Sequence, residues 1–157
     1  MTKFKTENNT VNKDELINGL NKLLVNLIAF KLQVKNAHWN VRGIHFYQVH
    51  LLFDEIAEDV EGFVDKVAER ITLLGGVAKG LVSDVYDLNT ISEYPKDTVQ
   101  DKQHLEILIQ RLGFITNQSR KLVEETEDLK DPITADLYTE VCRVLDKKLW
   151  FLEAHLL

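Results

Sequence analysis

The sequence predicts an all-α chain, four long antiparallel helices packed as a bundle, with a long crossover between the second and the third. Three observations carry this prediction. Only seven glycines and two prolines interrupt 157 residues, too few turn formers for a fold of many short strands. Apolar residues recur at spacings of three and four, the period of a helix, over long stretches of the chain. With 45% hydrophobic residues, the chain can bury a core of its own within one domain.

Residues 1–12 are polar and read as a flexible tail, because they offer too little apolar surface to offset the entropy of ordering. Residues 13–157 read as the bundle domain. The first helix should start near Asn12 to Asp14 and run to about Trp39, with Leu20, Leu23, Leu24, Leu27, Ile28 and Leu32 on one buried face. Gly43 is the natural break after it. The second helix runs from about Ile44 to Leu74 and stops at Gly75-Gly76, since glycine adopts the left-handed conformation at little cost. Residues 77–96 form the crossover, with a short helix expected around Asp87 to Ser92 before Pro95. Such a link is long enough to carry the chain from one end of the bundle to the other. The third helix follows from about Lys96 to Asp128. Asp131-Pro132 then supplies an N-cap and a first-turn proline for a fourth, which ends near the C-terminus.

Composition narrows the function. A formal net charge of −6 argues against an intrinsic nucleic-acid surface and suits cation binding. The solitary Cys142 excludes an intrachain disulfide and a multi-cysteine zinc site; it is expected as a small buried side chain. No apolar run approaches the ~20 residues needed to span a bilayer, and the basic residues of the N-terminus precede no apolar segment. A cytoplasmic location is expected.

The chemistry lies on the second helix. His50 and Asp54 are an i, i+4 pair, and eleven residues on Asp65 and Glu69 form another. At about 100° per residue the four fall within one stripe roughly 100° wide, beside the apolar arc carrying Val49, Phe53, Ile56, Val60, Val67 and Ile71. Asp54 and Asp65 are nonetheless about 16 Å apart along the axis, at 1.5 Å per residue. No small ion can be held by both pairs of one helix. A hairpin about residues 41–43 brings His38 level with His50 and Asp54, so these three form one half-site and the carboxylate pair forms another. Two copies related by a two-fold axis, with their second helices antiparallel, would set each half-site against its complement. Imidazole plus carboxylate in an incomplete shell suits Fe(II) with positions open to an oxidant. Glu58 and Glu61 project near the same stripe, so a solvated acidic face is the competing reading of the spacing alone.

The run His38-Trp39-Asn40-Val41-Arg42-Gly43, then Phe46, His50, Leu52-Phe53-Asp54, and Asp65 through Ala68-Glu69-Arg70, closely resembles the signature of the Dps family, the ferritin-like mini-ferritins of bacteria and archaea. The resemblance extends through Leu149-Trp150-Phe151. It implies a ferritin-like bundle assembled as a homododecameric shell built from two-fold dimers, with two irons at each intersubunit ferroxidase centre. The ligands it implies are His38, His50 and Asp54 from one chain with Asp65 and Glu69 from its two-fold partner. The implied activity is that of a ferroxidase that oxidises Fe(II), preferably with hydrogen peroxide, and stores Fe(III) as a mineral, which protects DNA from oxidative damage. The Glu-x-x-His motifs of larger ferritins are absent. Trp39, beside His38, is implied either as an electron donor or trap at the centre or as an aromatic packed near the dimer interface.

Asp131, Asp136 and Glu140 resemble the acidic lining of the family's three-fold pores, where carboxylates repeated by symmetry attract cations; Asp131 reads equally as a helix cap. Strong direct DNA binding is not expected at physiological salt, because Lys3, Lys5 and Lys13 face Glu7 in the tail and the net charge is negative, although nucleoid association of the family remains an open reading. Two alternatives stay beside the ferroxidase: a non-enzymatic shell acting at a surface or the nucleoid, and sequestration of a divalent ion without redox turnover. His45, His104 and His155 are expected to be exposed or locally hydrogen-bonded, and Trp150 and Phe151 to be packing residues.

Overall fold

A computed structural model describes residues 12–157. The expected tail therefore lies outside the described residues, apart from Asn12, whose side chain accepts from the Glu15 N–H and caps the first helix. The helices are α1 Lys13–Asn40, α2 Phe46–Leu73, the short α3 Val82–Leu88, α4 Asp101–Asp128 and α5 Pro132–Ala154. α1 pairs with α2 and α4 with α5; α1 against α4 and α2 against α5 close the bundle.

The three-and-four spacing builds the core. Leu20, Leu23, Leu27, Phe30 and Val34 of α1 meet Val49, Phe53, Ile56, Val60 and Ile71 of α2, with Leu108, Leu112 and Ile115 of α4 and Val141, Leu145 and Leu152 of α5. All are buried, and each large apolar side chain contributes about 1.5–3 kcal/mol over its exposed state. Leu32 departs from the expected face: it is exposed and borders a groove shared with Val82, Val85 and Tyr86 of the crossover and α3.

Two buried asparagines on α1 hold the crossover. Asn21 donates to the Val77 carbonyl at 3.1 Å and accepts from the Lys79 N–H at 2.9 Å. Asn26 accepts from the Thr90 N–H at 2.8 Å and donates to Gln118 of α4 at 2.9 Å. Buried amides with partners on three segments fix where the connection lies.

Those bonds also explain why the short helix lies at Val82–Leu88 and not at Asp87 to Ser92. Asp84 accepts from the Leu81 N–H and starts it. Asn89, in extended conformation, then ends it, and Asn26 takes the Thr90 N–H that a longer helix would need. α4 likewise starts at Asp101 instead of Lys96. Arg42 donates to the Val99 carbonyl at 2.7 Å and accepts from the Asp101 N–H at 2.8 Å, which commits this stretch to a parallel bridge between Arg42 and Gln100.

The remaining stops follow the expected chemistry. Gly75 has φ +91° at the end of α2, and the Gly76 N–H returns to the Ile71 carbonyl at 2.9 Å. Asp131 caps α5 by accepting from the Thr134 N–H at 3.1 Å, with Pro132 in the first turn. Cys142 is buried, as expected. Trp150 is not a core residue in the protomer; it is 63% exposed and leans on Phe151, which is partly buried. Among the described residues, no helix is long and apolar enough to cross a membrane.

Candidate metal centre

The last turn of α1 and the first turns of α2 bring His38 and His50 face to face, ring centroids 3.8 Å apart and 16° from parallel. Their hydrogen bonds are reciprocal. His38 Nδ1 lies 2.8 Å from the His50 carbonyl oxygen, and His50 Nδ1 lies 2.8 Å from the His38 carbonyl oxygen. A carbonyl can only accept, so each Nδ1 carries a proton, and in the neutral ring it is Nε2 that presents the lone pair. That is the tautomer a metal-binding imidazole requires. The His38 carbonyl is also one of the last four of α1, which a helix leaves without an internal partner; the His50 ring supplies one. Phe46 also stacks on His50, with ring centroids 5.0 Å apart.

Asp54, one turn beyond His50, turns toward the same place. Its Oδ1 is 4.0 Å from His38 Nε2 and 2.6 Å from Lys35 Nζ. The hydrogen bond from Lys35 holds the Asp54 carboxyl below its ordinary range, helped by the Lys35 charge and opposed by desolvation. The carboxylate is thus charged at neutral pH and already faces a cation. The Lys35 ammonium also lies 5.8 Å from the centroid of Trp39, whose ring is 68% exposed.

Asp65 and Glu69 project from the same helix further on, both exposed. Among the described residues, neither carboxylate has a hydrogen-bond or ion-pair partner in the chain. Nor does any group of three or more His, Cys, Asp or Glu within the described chain come together tightly enough to hold a metal ion. The described residues thus carry His38, His50 and Asp54 near one end of α2 and, about 16 Å further along its axis, the Asp65 and Glu69 carboxylates.

The three pore candidates divide. Asp131 is buried and committed twice, capping α5 and accepting from Arg70 Nη2 at 2.8 and 3.0 Å. Asp136 is exposed and Glu140 half-buried. Both line one shallow surface depression with Glu69, and Lys66 in the same depression pairs with Glu140 at 2.6 Å.

The whole chain has relatives that match this architecture. Residues 17–157 match the ferritin-like domain model. The DNA protection during starvation protein of Agrobacterium fabrum is 39% identical over 157 residues, covering 99% of this chain and 97% of its own. The chain belongs to the Dps family. Among solved structures, a Mycobacterium smegmatis Dps superposes with a TM-score of 0.88 at 31% identity, covering 96% of this chain and 94% of that one. The Vibrio cholerae O1 Dps, described as a member of a broad superfamily of ferritin-like diiron-carboxylate proteins, gives 0.87 at 28% identity over 92% and 91%. A different name also appears in this Dps neighbourhood: the fine tangled pili major subunit of Haemophilus ducreyi is 32% identical, over 92% of this chain and 82% of its own.

Sequence reasoning did not single out Lys35 or Asp101. Lys35 carried a signal, standing three residues before His38 on the face α1 turns to α2. Removing it has a definite expected result. In Lys35→Met, Asp54 loses its resident cation, and anaerobic Co(II) titration should show the histidine half of the site binding several-fold more tightly. Unchanged or weaker binding would mean that Lys35 does not compete for this carboxylate.

His104 also differs from expectation. It is fully buried, with Nδ1 2.5 Å from the Tyr94 hydroxyl, and burial lowers its pKa and favours the neutral ring. His155 is exposed and bonded locally, to the Phe151 carbonyl at 2.7 Å.

Proposed function

We propose that this Dps-family chain is a ferroxidase and iron-storage protein, working as a homododecameric shell in the cytoplasm, whose centres are shared between two-fold-related subunits. The observation that carries this reading is the His38–His50 pair, whose reciprocal hydrogen bonds occupy both Nδ1 atoms and leave both Nε2 atoms available, that of His38 4.0 Å from the Asp54 carboxylate. Fe(II) is the substrate. Imidazole nitrogens and carboxylates make a mixed donor set suited to it, and the described residues of one chain do not gather enough of them to hold it alone. Asp65 of the partner subunit and Glu69 of the partner subunit would complete the set, which accounts for two carboxylates left without partners among the described residues.

Two irons at one centre provide two electrons. One hydrogen peroxide with two protons accepts them and leaves as two waters, so no one-electron fragment is released. Hydrogen peroxide is the proposed preferred oxidant, and the Fe(III) product is stored inside the shell. Protection of DNA follows from removing both reagents of hydroxyl-radical formation and needs no contact with DNA. Trp39, exposed beside His38, serves either as an electron donor when turnover is incomplete or as an aromatic of the subunit interface. Asp136 and Glu140, in one depression with Glu69, give arriving cations a carboxylate path toward the centre, with Lys66 as their counter-charge.

The test is an anaerobic addition of Fe(II) and substoichiometric peroxide to wild type and to His50→Ala/Asp65→Ala, following Fe(III) absorbance and particle size. Wild type should consume peroxide with two Fe(II) per molecule, and the variant should fall to the rate of buffer. Equal rates would sink the assignment. The likeness to the Haemophilus ducreyi pilus subunit supports one other reading, a structural shell without turnover; it predicts normal assembly of the double variant and no ferroxidase difference. Tight binding of Zn(II) with no Fe(II) oxidation would instead indicate sequestration.

A further inference from the structure

The geometry points to Asp101, at the start of α4, as the residue that positions the histidine pair. This inference rests on the metal-centre reading above and adds to it a residue on a helix that carries none of the proposed ligands. His38 ends three residues before Val41, and His50 begins four residues after Phe46. The offset between the two helices, and with it the fit of both reciprocal hydrogen bonds, is set by the turn at residues 41–45.

That turn is fastened from outside. Arg42 N–H donates to the Val99 carbonyl at 2.7 Å, and the Asp101 N–H donates to the Arg42 carbonyl at 2.8 Å. The Asp101 carboxylate then accepts from two helix starts at once. Its Oδ2 takes the N–H of His45, the residue opening α2, at 3.1 Å, and its Oδ1 takes the Lys102 N–H of α4 at 2.7 Å. His45 has no side-chain cap of its own to offer α2. The His45 hydrogen bond, followed by that of Lys102, holds the Asp101 carboxyl below its usual range despite burial, so the group is charged at neutral pH.

Gly43 shows how closely the carboxylate is fitted. Its φ of +147° is one that L side chains rarely adopt, and a Cβ there would overlap the Asp101 carboxyl group. The turn has no side chain at the one position where the carboxylate lies against it. Of the hydrogen bonds holding residues 42–46, only that from the Phe46 N–H to the Gly43 carbonyl, 3.2 Å, stays within the turn. Without the carboxylate, the first turn of α2 loses its tie to α4 and can shift against the last turn of α1, even though the backbone bonds of Arg42 and the apolar core remain. Two imidazoles that each need the other helix's carbonyl cannot both keep 2.8 Å through such a shift, and the Nε2 lone pairs lose their fixed direction.

Anaerobic Co(II), a stand-in for Fe(II) that is not oxidised, tests this in full-length protein whose shell size is checked by sedimentation. Asp101→Ala should weaken Co(II) binding about tenfold, the lower end of the cost of losing an orienting partner. The visible bands of the Co(II)-saturated protein should also change shape. Asp101→Ser keeps an oxygen for the Lys102 N–H and so for α4, but is too short for His45. It should show the same loss, and it keeps the test available even if Asp101→Ala does not assemble. A lower denaturation midpoint with wild-type affinity and wild-type bands would reduce Asp101 to a helix cap and overturn the inference. His50→Ala separates the two levels. If it binds Co(II) as wild type does, the metal-centre reading itself fails; if it loses Co(II) while both Asp101 variants bind normally, only the positioning role fails.

Discussion

Chains lacking His38 and His50, unfolded and reassembled together with chains lacking Asp65 and Glu69, are expected to recover Fe(II)-dependent peroxide consumption that neither parent has alone. The level follows from the proposed symmetry. In a mixed dimer one centre receives both intact halves and the other receives both damaged ones. With random pairing, half of the dimers are mixed, so about a quarter of all centres are whole. Activity near a quarter of wild type therefore supports centres shared across the two-fold axis. A mixture as inactive as its parents, with shells of normal size, would show that each centre is built within one chain. The axial separation of the two ligand pairs leaves the geometry no intermediate result.

Asp131→Ala is expected to be the most destabilising single change outside the apolar core. Asp131 and the side chain of Arg70 are almost entirely enclosed, 3% and 13% exposed. The guanidinium donates from Nη2 to the carboxylate and from Nε to the Thr134 hydroxyl at 2.9 Å. Truncating Asp131 leaves the Arg70 charge inside without its partner and removes the cap of α5. The expected cost is about 3–5 kcal/mol, read as a lower denaturant midpoint at fixed protein concentration. Arg70→Met/Asp131→Leu removes both charges together and should cost much less. If the single variant unfolds at the wild-type midpoint, the pair contributes nothing to stability. The pair joins the end of α2 to the start of α5 next to Glu69, so the same variant also tests whether this carboxylate depends on the junction.

Most of the fold was legible because its signals are local. The apolar spacing of α1 and α2, the Gly75-Gly76 stop and the Asp131-Pro132 start each act within a few residues. The errors fall where a distant segment claimed the backbone. Asn26 takes the Thr90 N–H and fixes the end of α3, and Arg42 takes the Val99–Asp101 stretch and delays α4. Neither can be read from a window of sequence. The candidate centre divides in the same way. The i, i+4 spacing exposed His50, Asp54, Asp65 and Glu69, whereas the pairing of Lys35 with Asp54 and the reach of Asp101 to His45 exist only once helices are packed. Trp150 misled because an aromatic in an apolar run looks alike whether it meets its own core or stands exposed on the protomer.

If the proposed centre captures an ion, its reciprocally bonded imidazoles have a consequence for the thermodynamics of that capture. Freezing a mobile side chain on binding costs roughly 0.5–1.5 kcal/mol, and a site with two free histidines would meet that cost twice at each arrival. Here both rotamers and both tautomers are settled when the hairpin closes, so the entropy loss belongs to folding and not to capture. A chelator that strips the site should leave two rings still aimed at the place the ion occupied, and the next ion should bind without a reordering step.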